Sequence, residues 1–233
     1  MTGVQTCALP ILTKIFISHL HTDHWGDLAG LWAGGWTAGR TGPLEVWGPS
    51  GARPDMGTKH AIEHFLQTYN WDSMTRQAMI SPVPGRITVH EFDYKGENEI
   101  IYQENGVTVR SWPAIHAGDG PVSLALEWNG YKIVYSGDTM ATNWTLEYAQ
   151  DADLLIHEAT FDNEEKDRAQ DTGHSTAAGA AQVALAARVG SAPQDLVAVA
   201  EALRTTDSRA KLAATTVDLP ASDGTPRTIT VRR

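Results

Sequence analysis

Apolar residues fall along this chain in short runs separated by polar loops, and the spacing within each run predicts the element it forms. After Thr13, residues 14–18 read as a short buried strand ending at a polar, histidine-rich loop. Residues 27–32 read as a helical turn, and the glycines at 34, 35, 39 and 42 predict a flexible connection. A strand at 44–47 runs into Gly48-Pro49-Ser50-Gly51. Over residues 59–77 the spacing is helical, with Ile62, Phe65, Leu66 and Tyr69 on one face. Strands follow at 87–92, 99–103, 107–112, 122–128 and 132–136, the last two joined by the tight-turn pair Asn129-Gly130. Helical spacing returns at 142–150 and 175–188, on either side of a strand at 153–157. Strands bracketed by helices predict an α/β sandwich with helix-covered sheets rather than an all-β barrel.

Composition narrows the class. With 42% hydrophobic residues in 233, the chain can bury the core of one domain without disulfides, and its single cysteine, Cys7, closes no intrachain bridge. No apolar run reaches the roughly 20 residues that span a bilayer, so the chain reads as soluble, in cytoplasm or periplasm. A formal net charge of −10 argues against a broad nucleic-acid surface, because such affinity comes from Lys and Arg neutralising phosphates. Residues 1–12 show no period and read as a non-native leader, 13–190 as the domain, and 191–233 as an atypical tail.

The chemistry concentrates in His19-Leu20-His21-Thr22-Asp23-His24, three imidazoles and a carboxylate directly after a strand. In an extended loop alternate residues point the same way, so His19 and His21 can grip one metal while Asp23 and His24 turn toward a second. His116 and Asp138 each follow a strand; the first also reads as an ordinary loop histidine, the second as a helix N-cap. His60 and His64 stand four apart, but with no accompanying carboxylate motif a solvated helix face explains them better. Trp25, Trp32, Trp36 and Trp47 crowd behind the motif, and core packing is preferred over an aromatic wall. Trp25, Trp36 and Trp112 are nonetheless carried as candidate pocket-lining residues for an aromatic group.

This succession, with Ser136-Gly137-Asp138-Thr139, resembles the metallo-β-lactamase superfamily of metal-dependent hydrolases. Leu44 to Gly51, Leu155-Ile156-His157-Glu158-Ala159-Thr160-Phe161 and Gly173-His174-Ser175-Thr176 bring it closest to the ribonuclease Z-like branch. The resemblance covers roughly residues 13–188 and implies an αββα sandwich. It implies that His19, His21 and His116 hold one metal, that Asp23 and His24 hold another, and that Asp138 bridges the two. Two zinc ions are expected, with manganese or iron suiting similar ligands. Their bridging hydroxide would attack, with Asp23 orienting it. His174 would protonate the departing oxygen, steadied by Glu158, though a plain helix-start residue also fits that position.

The pattern breaks at both ends. The family's last histidine ligand is missing, since none follows His174, and the tail turns Thr- and Arg-rich with six basic and four acidic residues after 200. That shift reads as a frame change or assembly break near residue 190, and the family's leading strands are absent ahead of Ile15. The sandwich is therefore expected to be incomplete at both ends, and the chain to be a weak or inactive version of an enzyme. Cleavage of a small phosphodiester or related ester is the leading reading. Transfer-RNA processing is ranked lower, because no long basic arm lies between the motif and His116. The alternatives are lactam or lactone opening and a degenerate, non-catalytic metal-binding domain. The resemblance admits a homodimer, which no stripe in the chain demands.

Overall fold

Alternation decides which face of each strand is buried, and in the first part of the chain it puts aliphatic side chains on one face of a parallel sheet. The computed structural model describes residues 9–118 and 120–190, with the backbone of two strands further on. It divides into two units, Met1–Gly96 with Asp119–Pro121, and Glu97–Gly118 with Val122–Arg233. The leader read over 1–12 lies outside the described residues except for 9–12. The tail read over 191–233 lies outside them except for those two strands.

The first unit holds β1 (Lys14–Phe16), β2 (Leu44–Pro49) and β3 (Ile87–Phe92), all parallel, in the order β1-β2-β3. Its helices are a single turn, α1 (Thr22–Trp25), then α2 (Leu28–Thr37), α3 (Thr58–Thr68) and α4 (Asn70–Gln77). Leu44, Val46 and Ile17 from the sheet side meet Trp32, Ile62 and Phe65 from the helices in one buried cluster. Each such side chain contributes about 1.5–3 kcal/mol.

The expected break at Gly34 and Gly35 does not occur, because α2 runs through both to Thr37. Space explains why glycine is there: a Cβ on Gly35 would lie 2.2 Å from the buried Arg40 guanidinium. Arg40 lies under the helix, donating to the carbonyls of Trp32 (3.1 Å) and Pro84 (2.9 Å). The helix expected over 59–77 is two, separated at Tyr69, which departs from helical backbone at φ −95°, ψ 20°.

The second unit is a five-stranded sheet of β4 (Glu99–Glu104), β5 (Val107–Pro113), β6 (Val122–Trp128), β7 (Tyr131–Tyr135) and β8 (Leu154–Ile156), in that order. Neighbours are antiparallel except β7 and β8. Asn129 and Gly130 turn the β6–β7 hairpin with φ of 51° and 83°, both positive as a type I′ turn requires. Register sets Ala125, Val134 and Leu155 in one row across three strands. Alanines 149, 152 and 187 and Val183 close over that row, contributed by and around α5 (Asn143–Tyr148) and α7 (Ala177–Ala186). Between these helices lies α6 (Lys166–Thr172), which periodicity alone did not reveal. Strands β9 (Thr215–Pro220) and β10 (Pro226–Val231) pair antiparallel with each other.

Candidate functional site

In the first unit the histidine motif leaves β1 and winds immediately into α1. His21 is the last extended residue, at φ −63°, ψ 143°. Beyond it the His24 amide donates to the His21 carbonyl (2.9 Å) and the Gly26 amide to Thr22 (2.8 Å). A helical turn, not the expected extended loop, therefore carries Asp23 and His24. The turn folds both neighbouring imidazoles onto His19, with ring centroids 4.8 Å away for His21 and 4.1 Å for His24. Asp23 Oδ2 lies 3.4 Å from His24 Nε2, and His19 Nδ1 lies 3.2 Å from Ser18 Oγ. Three imidazoles this close repel one another when protonated, whereas their lone pairs suit a shared divalent cation.

The second unit gathers the other predicted residues by strand direction. β5 and β7 both run antiparallel to β6, and β8 runs parallel to β7, so these three strands end at the same sheet edge. His116 follows β5, Asp138 follows β7, and Glu158 follows β8. His116 Nε2 faces Asp138 Oδ2 at 3.7 Å, both side chains buried, while His116 Nδ1 lies 3.3 Å from the Gly173 carbonyl. A carbonyl on one ring nitrogen fixes the tautomer and turns the other nitrogen toward a metal. Donor atoms of His116, Asp138 and His174 all lie within 4.8 Å of one another. Imidazole and carboxylate donors so placed fit a divalent ion.

Gly173 is there of necessity. Its φ is +71°, and a Cβ would lie 2.6 Å from His116 Cα and 2.8 Å from the Ile115 carbonyl oxygen. Directly after it, His174 Nδ1 donates to Glu158 Oε1 at 2.8 Å. The Thr139 amide (2.9 Å) also donates to Glu158 Oε1, and the Thr160 amide (3.1 Å) and hydroxyl (2.9 Å) donate to Oε2. Four donors thus hold one fully buried carboxylate. The N-cap of α7 is Thr176, and that of α5 is Thr142, so neither His174 nor Asp138 serves as a cap.

Sequence reasoning missed His157. It is buried, Nδ1 bonds the Glu158 carbonyl at 2.8 Å, and Nε2 has no hydrogen-bond partner among the described residues. Burial holds this imidazole below its ordinary range, with the Glu158 carbonyl and charge only partly offsetting it. Pocket-lining roles for Trp36 and Trp112 do not hold, because both are core residues, 3% and 0% exposed. Trp32 and Trp47 are buried too, as the core reading expected. His60 and His64 keep to the outer face of α3 with rings 4.3 Å apart, and His64 pairs with Gln67.

A family described as "Beta-lactamase superfamily domain" matches residues 5–193. Ribonuclease Z of Gemmatimonas aurantiaca is 33% identical over 209 residues, covering 76% of this chain and 67% of the relative. Ribonuclease Z of Ignicoccus hospitalis is 32% identical over 200 residues, covering 75% and 67%. The crystal structure of the short form of human tRNase Z superposes with a TM-score of 0.58 at 25% identity, covering 80% of this chain and 75% of that one. The chain spans about two thirds of the length of the two curated relatives. Since these relatives are named as ribonucleases, the expectation that net charge rules out a broad nucleic-acid surface finds no support. No helix among the described residues is long and apolar enough to cross a membrane.

Proposed function

The chain belongs to the beta-lactamase superfamily, with the mixed α/β fold of its tRNase Z neighbours, and on that footing we propose that it is a metal-dependent phosphodiesterase whose substrate class is RNA. The observation that carries this reading is the 2.8 Å pairing of His174 with Glu158, beside His116 and Asp138. A phosphodiester expels an alkoxide, which needs a proton, and a carboxylate-anchored imidazole is a suitable donor.

Zinc is the expected ion, and His19, His21, Asp23 and His24 of the first unit and His116 and Asp138 of the second are the residues that would hold it. When bound, such ions supply Lewis acidity and a water made acidic enough to ionise near neutral pH. The remaining work falls to side chains. Glu158 fixes the His174 ring through Nδ1, leaving Nε2 to carry the proton to the leaving oxygen. Asp23 accepts a hydrogen bond from the attacking water and orients it.

A panel of bis(p-nitrophenyl) phosphate, a 3′-extended RNA, an aryl sulfate, a lactone and a cephalosporin, assayed with zinc-loaded protein, tests the reading. Turnover of the phosphodiester and the RNA is the expected result, with His174→Ala losing the RNA, whose leaving alkoxide needs the proton, and largely sparing bis(p-nitrophenyl) phosphate, whose p-nitrophenolate departs unprotonated. Preference for the cephalosporin or lactone would replace it with ring opening. Zinc uptake without turnover of any substrate would mark a binding domain instead.

A further inference from the structure

Thr139 sits between the metal-ligand loops and the proton-donor pair, and each of its polar atoms is engaged. It is fully buried. Its amide donates to Glu158 Oε1 at 2.9 Å. Its hydroxyl accepts from the Ile115 amide at 3.0 Å and donates to the Met140 carbonyl at 2.8 Å. Its carbonyl accepts from Ser175 Oγ at 2.8 Å. The next residue closes the arrangement, the Met140 amide donating to the Ile115 carbonyl at 3.1 Å. Ile115 precedes His116, Ser175 follows His174, and Asp138 precedes Thr139 itself.

We propose that Thr139 is a positioning residue that holds His116, Asp138 and the His174–Glu158 pair in mutual register. This rests on the phosphodiesterase reading above. Thr139 itself follows β7, and three other loops meet it, those of Ile115 after β5, Glu158 after β8 and Ser175 ahead of α7. One threonine supplies bonds to all three, so a shift in any loop is resisted through the other two. The hydroxyl is the part that only a side chain can provide. A valine keeps the shape and both backbone bonds but leaves the Ile115 amide without its acceptor, freeing the backbone just ahead of His116.

The experiment compares wild type with Thr139→Val, Thr139→Ser and Thr145→Val. The last is a control, a buried threonine in α5 whose hydroxyl meets Trp112 Nε1 (3.4 Å) and Thr142 Oγ1 (3.1 Å). The readouts are kcat and KM on bis(p-nitrophenyl) phosphate, zinc affinity, and amide hydrogen exchange at Ile115. Thr139→Val should lower kcat or zinc affinity about 10- to 100-fold, with KM within about twofold, and speed Ile115 exchange. Thr139→Ser should restore most of both, and Thr145→Val should lower the unfolding midpoint while sparing kcat. Thr139→Val at wild-type values, Thr139→Ser as impaired as Thr139→Val, or equal losses in Thr145→Val would each overturn the proposal. If the wild type turns over no ester, the phosphodiesterase reading fails, and zinc affinity with Ile115 exchange decides Thr139 alone. A change restored by serine then supports positioning, and no change overturns it.

Discussion

At the scale of single residues, the site depends on groups that hold other groups. Glu158 is the clearest, a buried carboxylate accepting from His174, Thr139 and Thr160. Glu158→Gln keeps its size but replaces one acceptor oxygen with an NH2 that faces donors. Its kcat on the RNA should fall about 10- to 100-fold with KM little changed, as steady-state kinetics will show. Gly173→Ala meets two obstacles at once, a positive φ and a Cβ 2.6 Å from His116 Cα. Urea denaturation should show it destabilised by more than about 1 kcal/mol, with weaker zinc binding because His116 is displaced. What was legible in advance follows from how local the signal is. Four ligand-type residues within His19 to His24 announce themselves by density, whereas Thr139 and Gly173 act on residues far along the chain. Spacing carries no trace of such contacts.

At the scale of elements, strand direction does most to build the second unit's site. β5, β7 and β8 end at one sheet edge, and each contributes its functional residue just beyond the strand. Period-two alternation and the Asn129-Gly130 turn made those strands readable, to within one or two residues at each end. Helix limits were less readable. Glycines in α2 suggested a break, but Gly35 answers to Arg40 beneath the helix and Gly34 to the Leu9 side chain, tertiary reasons that override local propensity. The break at Tyr69 and the seven-residue α6 left no periodic mark long enough to see. Thr142 starts α5, its hydroxyl accepting from the Thr145 amide at 3.1 Å. Thr142→Ala should cost about 1 kcal/mol in denaturant unfolding. The helix packs Ala149 against the Val134–Leu155 row, so the loss is carried into the core.

At the scale of the whole molecule, protons and metal are linked to folding. Ions that bind only the native state stabilise it, by about 2.7 kcal/mol when free zinc is a hundred times its Kd. Chelation with EDTA should therefore lower the thermal midpoint, and added zinc should restore it. His157 gives a second linkage that remains after the metal is removed. Burial depresses its folded-state pKa below the ordinary value of 6.5. Below about pH 6.5 the unfolded chain binds a proton that the folded chain refuses. The stability present above that value is thus lost as pH falls toward the folded-state pKa, at up to about 1.4 kcal/mol per pH unit. His157→Asn keeps a donor for the Glu158 carbonyl and removes the titration. In EDTA, urea midpoints of the wild type and this variant should converge or cross between pH 7 and 5. Curves that stay parallel would mean that His157 charges inside the fold, and its buried Nε2 would then need an acceptor.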